Sequence, residues 1–122
     1  MEHFYQNLSG ENWFTYPNLY KEMVEKCSAD STSHFVEVGS WKGRSASFMG
    51  VEIINSNKII KFDCVDTWKG SIEHTTYDVI TEEKLYDVFL TANNPSNGAK
   101  VVPFKLTTRG FPFSIYKTTL KK

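Results

Sequence analysis

Apolar residues recur along this chain at two different spacings, and each spacing predicts its own kind of element. After Pro17, apolar side chains return every three or four residues, which predicts a helix that ends near Ser28. The same spacing predicts a helix from residue 43 to about 54 and another from 81 to about 92. Thr81, followed by two acidic residues, suits the start of this last helix. The residues expected on the inner face of the second helix are Ala46, Met49, Ile53 and Ile54.

Three short apolar runs predict strands, at residues 34–38, 58–65 and 100–106. Strands that alternate with helices of about ten residues indicate a parallel sheet with right-handed crossovers. Residues 109–122 fit neither spacing, and Pro112 argues against a central strand there. This C-terminal tail therefore stays unassigned.

The composition narrows the classes of protein to which these 122 residues can belong. Fourteen basic and fourteen acidic side chains cancel, so the chain lacks the positive surface typical of nucleic-acid binding. No apolar run approaches the roughly 20 residues that span a bilayer, and the N-terminus lacks the basic start of a signal peptide. We expect a cytoplasmic protein. Cys27 and Cys64 have no metal-ligand spacing, so they are expected to be core thiols and no metal site is predicted.

The turn after the first predicted strand carries the chemistry of the chain. The stretch F-V-E-V-G-S-W-K-G-R-S-A spans residues 35–46 and joins a strand to a helix. In a parallel α/β sheet, ligands bind beyond the carboxyl ends of the strands, and Gly39 permits a tight turn with close ligand approach. A compact strand-to-helix connection without a ligand is the alternative. Only three residues separate Gly39 from Gly43, which excludes a Walker loop, and Trp41 occupies the middle position of a dinucleotide fingerprint.

Two acidic residues distinguish this turn from a phosphate site. Glu37 lies beneath the turn, and Asp66 ends the second predicted strand. An acid at the position of Asp66 meets a ribose in nucleotide-type folds, and a carboxylate accepts strong bonds from hydroxyl groups. Two carboxylates around one crevice repel a pyrophosphate and suit a cationic ligand that contains a ribose.

The turn and the following V-D-T-W stretch together resemble the first half of class I S-adenosylmethionine-dependent methyltransferases. The similarity is greatest to small bacterial and viral members in which an E-x-G-S-x-x-G-x-S turn precedes V-D-T-W, and it covers roughly residues 11–108. It implies a Rossmann-like three-layer α/β/α fold with a partial parallel sheet of strand order 3-2-1, residues 1–108 forming the N-terminal half of a methyltransferase domain. It also implies S-adenosylmethionine as the cofactor. By this resemblance the cofactor-binding residues are Glu37, Gly39, Ser40 and Gly43 at the methionine part, with Trp41 in the same turn, Asp66 at the ribose, and Thr67 and Trp68 near the adenine.

The chain departs from the family pattern after its third predicted strand. The family's sheet continues into a fourth strand that ends in an acid beside the methyl acceptor, whereas here a basic, aromatic tail follows. We therefore expect a form truncated before that strand, with no identifiable catalytic residue or acceptor. An uncovered sheet edge favours self-association. The expected function is methyl transfer, and the alternatives are a non-catalytic cofactor-binding remnant or a nucleotide-binding (NAD) module, so enzymatic activity stays open.

Other side chains near the turn have two interpretations. Trp13, Phe14 and Tyr16 could form a lid over a cofactor, but packing of the first helix on the sheet is favoured. His74 is interpreted as a surface-loop histidine rather than a general base. Lys42 and Arg44 are expected to point to solvent, because cations are unfavourable at the positive end of a helix.

Overall fold

The computed structural model describes residues 2–8, 10–70, 74, 76–82, 84–92 and 113–117, with side chains described up to Phe89. Helices and strands alternate within these ranges, so the protein has the α/β fold that the sequence predicts. The elements are a 3-10 turn (Tyr5–Asn7), α1 (Pro17–Lys26), β1 (Ser33–Val38), α2 (Arg44–Ser56), β2 (Ile60–Asp66), α3 (Asp78–Thr81), α4 (Leu85–Ala92) and β3 (Phe113–Lys117). None of these helices is long and apolar enough to cross a membrane.

The sheet is parallel and is centred on β2. β1 pairs with β2 in the register that places Ser33 opposite Ile60 and Val38 opposite Val65. Both strands were predicted, and this parallel pair is confirmed. On its other edge β2 pairs in parallel with β3, which lies in the C-terminal tail that the sequence pattern does not assign. The predicted strand at residues 100–106 lies outside the described residues.

The described helices contribute to one core on one face of the sheet. Alternate residues of β2 point into this core together with side chains of α1, α2 and α4, because successive strand residues face opposite sides. The core residues are Val24, Ala46, Met49, Val51, Ile53, Ile60, Phe62, Cys64, Trp68, Leu85 and Phe89. The opposite face of β1 exposes Val36 and Val38, the latter at 81 %. Among the described residues a second helix layer does not cover that face.

Helix α2 begins and ends at residues in the left-handed region. Gly43 (φ 91°) precedes its first turn, and Asn57 (φ 55°) follows its last. Of the four residues expected on its inner face, Ala46, Met49 and Ile53 are buried, and Ile54 packs against the core. In α1, Pro17 occupies the first turn as predicted, where its missing N–H leaves no bond unmade.

The helix predicted from residue 81 is divided in the structure. Thr81 ends the short helix α3, and its hydroxyl donates to the carbonyl of Asp78 at 3.2 Å. Helix α4 starts only at Leu85, where Leu85 and Phe89, one turn apart, are fully buried. The start predicted at Thr81 is therefore wrong, because burial of those two side chains positions the helix.

Candidate functional site

A cavity of about 510 Å³ opens at the carboxyl ends of β1 and β2. Its size lies in the range of roughly 300–1,000 Å³ usual for small-molecule sites. It is bounded by the segment before α1, by the glycine turn between β1 and α2, and by the loop after β2. The residues that line it are Glu11, Trp13, Phe14, Thr15, Tyr16, Tyr20, Gly39, Ser40, Trp41, Arg44, Ser45, Asp66, Gly70 and His74.

The glycine turn holds three residues in left-handed backbone conformations. Gly39 has a φ of 85°, Trp41 of 49° and Gly43 of 91°. A Cβ built on Gly39 meets nothing within 4 Å, so this glycine faces open space at the cavity. Glycine is required there because of its backbone conformation, which side chains of L-residues disfavour.

The backbone amides of this turn are already engaged within the protein. Gly39 donates its N–H to the carbonyl of Val65 at 2.8 Å, and Gly43 donates to the carbonyl of Ser40 at 3.0 Å. The amide of Trp41 donates to Oδ2 of Asp66 at 3.0 Å. A phosphate loop instead presents such amides to its ligand. This part of the turn is therefore unsuited to a pyrophosphate.

Asp66 connects the two loops that border the cavity. Its Oδ2 accepts from Trp41 in the glycine turn, and its Oδ1 accepts the amide of Trp68 in its own loop at 2.9 Å. Trp68, like Trp41, has a left-handed φ, of 61°. One carboxylate thus holds two non-glycine residues in an unfavourable conformation. Asp66 lines the cavity as well, so its carboxylate lies at the position where the sequence predicts a ribose contact.

Glu37 lies beneath the turn as a buried acid. It is 8 % exposed, and its Oε2 accepts the hydroxyl proton of Tyr20 from α1 at 2.8 Å. Its Oε1 and the hydroxyl of Ser40 are buried with no hydrogen-bond partner. Burial raises the pKa of the Glu37 carboxyl, and the hydroxyls of Ser40, Tyr20 and Ser45 lower it. Of these, Tyr20 makes a hydrogen bond of good geometry, whereas Ser40 acts only through its proximity. Buried polar atoms without partners are uncommon in folded proteins. Ser40 lines the cavity, and Glu37 lies behind it, bonded to the lining residue Tyr20.

The two cations of the turn are committed to contacts with the protein. Arg44 donates to the backbone carbonyls of Tyr5 at 2.6 Å, Leu8 at 2.7 Å and Gly10 at 3.2 Å. Lys42 forms an ion pair with Glu11 at 3.1 Å. The expectation that both cations point to solvent is therefore wrong. They hold the N-terminal segment against the turn, which offsets the unfavourable position of a cation at a helix start.

An aromatic wall of three residues, Trp13, Trp41 and His74, forms one side of the cavity. The rings of Trp13 and His74 are nearly parallel, with their centroids 4.9 Å apart. The centroid of the Trp41 ring lies 5.2 Å from that of Trp13 and 4.6 Å from that of His74. Phe14 packs edge-on against Tyr20 of α1 at 4.9 Å. Phe14 therefore packs against α1, as the favoured interpretation expects, and Trp13 lines the cavity.

The structure brings only some of the predicted site residues to the cavity. Gly39, Ser40, Trp41 and Asp66 line it. Glu37 lies below it, and Gly43 caps α2 behind it. Thr67 accepts the amide of Lys69 within its own loop and is not a lining residue. Trp68, predicted near the adenine, is buried in the core against Tyr86 and Phe89 instead.

The residues that line the cavity without having been predicted include Tyr20, Arg44 and Glu11. Tyr20 has helical spacing that marks it as a core residue, and only its hydroxyl contact with Glu37 reveals a second role. Arg44 and Glu11 act through partners more than 30 positions away along the chain. No local pattern in the sequence could have identified such contacts. The aromatic cluster W-F-T-Y just before α1 was the one usable signal.

Comparison of the chain with protein-family models, with curated proteins and with solved structures found no match to any of the three.

Proposed function

We propose that this cavity binds S-adenosylmethionine and that the chain supplies the cofactor-binding part of a methyltransferase. One observation carries the proposal: two buried polar atoms have no partner, Oγ of Ser40 within the glycine turn and Oε1 of Glu37 beneath it, and the open side of this turn faces the cavity. An ammonium group is a ligand that such a carboxylate and hydroxyl can satisfy. The amino end of the methionine part of S-adenosylmethionine is such a group.

The charges around the cavity support a cationic ligand over an anionic one. Arg44 is the arginine or lysine side chain among the described residues that line the cavity, and its guanidinium already donates to three backbone carbonyls. Asp66 adds a carboxylate at the rim. Opposite charges near a ligand favour its binding, and like charges disfavour it. A ligand with phosphate groups finds no free cation on this described surface.

Each residue of the proposed site has a distinct task. Glu37 and Ser40 receive the ammonium group, and Tyr20 orients the Glu37 carboxylate through its hydroxyl. Gly39 leaves room above the turn, and Asp66 accepts from the ribose hydroxyls. When bound, the cofactor supplies an electrophilic methyl group on a sulfonium. The protein's contribution is to place and orient that group.

The proposal includes the Rossmann-like three-layer fold with strand order 3-2-1 that the resemblance implies. The parallel β1–β2 pair and the site at its carboxyl ends support the parallel sheet, whereas the described residues leave Val36 and Val38 on its other face exposed. In open parallel sheets, ligands bind at this end of the strands.

Isothermal titration of the purified chain with S-adenosylhomocysteine and, separately, with NAD tests the proposal. We expect saturable binding of S-adenosylhomocysteine and weaker or absent binding of NAD. Glu37→Gln should lose about tenfold in affinity: a bond to a charged group contributes roughly 1.5–3 kcal/mol, and the lower end applies because burial disfavours the ionised Glu37 that the ammonium requires. Asp30→Asn changes an exposed acid in the α1–β1 loop and should leave the affinity unchanged. Equal affinity for both ligands, or none for S-adenosylhomocysteine, would contradict the proposal.

A further inference from the structure

We infer that the aromatic wall of Trp13, Trp41 and His74 binds a planar, uncharged aromatic ring, and that this ring belongs to the methyl acceptor. The assignment of the ring to the acceptor rests on the proposed function, whereas the ring-binding surface itself does not. The wall therefore identifies a substrate class for a site whose acceptor the sequence left unknown.

The geometry of the wall suits a flat ligand. All three of its rings line the cavity, and Trp13 is 46 % exposed although it is a large apolar side chain. Tyr77 extends the cluster, with its ring 5.4 Å from His74 and 6.1 Å from Trp13. Aromatic rings attract one another in offset-stacked and edge-on arrangements at these separations. A concave surface of several such rings can contact both a face and an edge of an added ring.

The charges beside the wall are neutralised within the protein. Glu11 accepts from the indole N–H of Trp41 at 3.4 Å and pairs with Lys42 at 3.1 Å. The ammonium of Lys42 also lies 5.5 Å from the Trp41 ring centre. A charged ligand at this wall would compete with an ion pair that is already formed. An uncharged ring keeps that pair intact, which is why we commit to an uncharged ligand.

The wall is partly separate from the groups assigned to the cofactor. Glu37, Ser40 and Asp66 supply polar atoms at the ends of β1 and β2, whereas Trp13 and His74 come from the segment before α1 and the loop after β2. Trp41 lies in the glycine turn and connects the two groups, because its amide donates to Asp66. Trp68, the ring adjoining Asp66 in sequence, is buried in the core. A ring-binding surface built from different segments of the chain is consistent with a second molecule in the same cavity.

The three tryptophans of the chain allow a direct test by NMR with its own internal control. Full-length chain labelled with ¹⁵N is titrated with 2-naphthol while the indole N–H signals are followed. We expect the signals of Trp13 and Trp41 to shift and that of the core residue Trp68 to stay. The saturated analogue decahydro-2-naphthol should bind at least about fivefold more weakly, since it lacks a π face.

Two variants locate the binding surface. Trp13→Ala should weaken 2-naphthol binding about tenfold, and Trp13→Phe should retain most of it. Leu19→Ala removes an apolar side chain that is exposed on α1 and does not line the cavity, so it should have no effect. If Trp13→Ala does not fold, the pattern of indole shifts in the wild-type chain decides alone.

A final arm repeats the titration with S-adenosylhomocysteine at saturation. Unchanged or tighter 2-naphthol binding supports an acceptor ring beside the cofactor. Displacement of 2-naphthol overturns the inference, because the adenine then occupies the wall. Equal binding of the saturated analogue, equal shifts of all three indoles, or no shift at all also overturns it. If 2-naphthol binds at the wall but S-adenosylhomocysteine does not bind, the proposed function fails and the ring-binding surface stands.

Discussion

Replacement of Asp66 by alanine should destabilise the protein before any ligand is added. The Asp66 carboxylate accepts the amides of Trp41 at 3.0 Å and Trp68 at 2.9 Å, and both tryptophans have left-handed backbone conformations. Such a conformation costs a non-glycine residue roughly 1–2 kcal/mol. Removal of the carboxylate leaves both conformations without the bonds that hold them, so both loops at the cavity should relax.

The size of the effect follows from these two bonds. A hydrogen bond to a charged group contributes roughly 1.5–3 kcal/mol. Because both bonds are only partly buried, water replaces some of each, and the lower end of that range applies. We expect Asp66→Ala to lower the free energy of unfolding by about 3 kcal/mol, which lowers the Tm on the order of 10 °C for a chain of this length. Asp66→Asn keeps one acceptor oxygen and should lose about half as much.

Thermal melts by circular dichroism measure this loss, and titration with S-adenosylhomocysteine measures the second role of the residue. Affinity should fall by about tenfold to a hundredfold in Asp66→Ala and by less in Asp66→Asn, which keeps one acceptor oxygen but loses the charge proposed to accept from the ribose hydroxyls. Asp30→Ala, which removes an exposed acid, serves as the control for both assays. Unchanged affinity with a lowered Tm would leave Asp66 a structural residue only.

A double-mutant cycle tests the reasoning about backbone conformation. Glycine adopts the left-handed region freely, so Trp41→Gly removes the need for the Asp66–Trp41 bond. The double variant should therefore lose less stability than the sum of the two single variants. Strict additivity, or an Asp66→Ala protein that melts within about 2 °C of the wild type, would refute the account of this carboxylate.

Four further predictions follow from the site and the sheet. Burial raises the pKa of the Glu37 carboxyl above its ordinary value of 4.5, so the folded protein binds the carboxyl proton more tightly than the unfolded chain does. The free energy of unfolding therefore falls as the pH rises from 4.5 through the pKa of the folded protein. Glu37→Gln should then melt at a higher temperature than the wild type at pH 7 but not at pH 4, and equal melts at both would contradict this. Gly39→Ala should lower the free energy of unfolding by about 1 kcal/mol, because alanine disfavours the positive φ at this position. Gly39→Asn should lose less stability than Gly39→Ala, since asparagine tolerates this conformation better, but it should bind S-adenosylhomocysteine more weakly because its longer side chain fills the open space. Equal stability loss in the two variants would argue against the conformational explanation. Arg44→Met removes three bonds to backbone carbonyls, so limited proteolysis should cut before residue 16 faster than in the wild type, and an unchanged rate would show that Arg44 does not hold this segment. Val38→Lys on β1, an edge strand of the described sheet, should reduce the self-association predicted for the uncovered sheet edge, because a charge on an edge strand disfavours pairing with another chain; light scattering measures it, and a wild-type chain that is monomeric at high concentration would refute the prediction.

The sequence predicted best those parts of the molecule that depend on local periodicity. β1, β2 and α2 fall close to their predicted ranges, because alternating burial and helical spacing reflect a single packed face. Helix α4 begins later than predicted, since the capping pattern at Thr81 competed with the burial of Leu85 and Phe89 and burial determined the start. A weak local signal was overridden by packing.

The candidate site was predictable only where it consists of consecutive residues. Gly39 and Asp66 line the cavity as their positions at strand ends implied. Trp68 does not line the cavity: its backbone has a left-handed φ, and its ring packs in the core. The spacing of residues along the sequence does not indicate that a side chain turns into the core in this way. The contacts of Tyr20 and Arg44 depend on tertiary packing and were beyond any local pattern.

The central claim is that a cofactor with a positive charge binds where β1 and β2 end. The most direct measurement is a ¹H–¹⁵N titration of the chain with S-adenosylhomocysteine, whose ammonium group carries the charge that Glu37 would receive. The account predicts saturable shifts at the amides of Gly39, Ser40 and Gly43 and at Asp66, with no change at Val36 and Lys61 on the opposite face of the sheet. Shifts confined to that opposite face, or no saturable shift at the glycine turn, would contradict it.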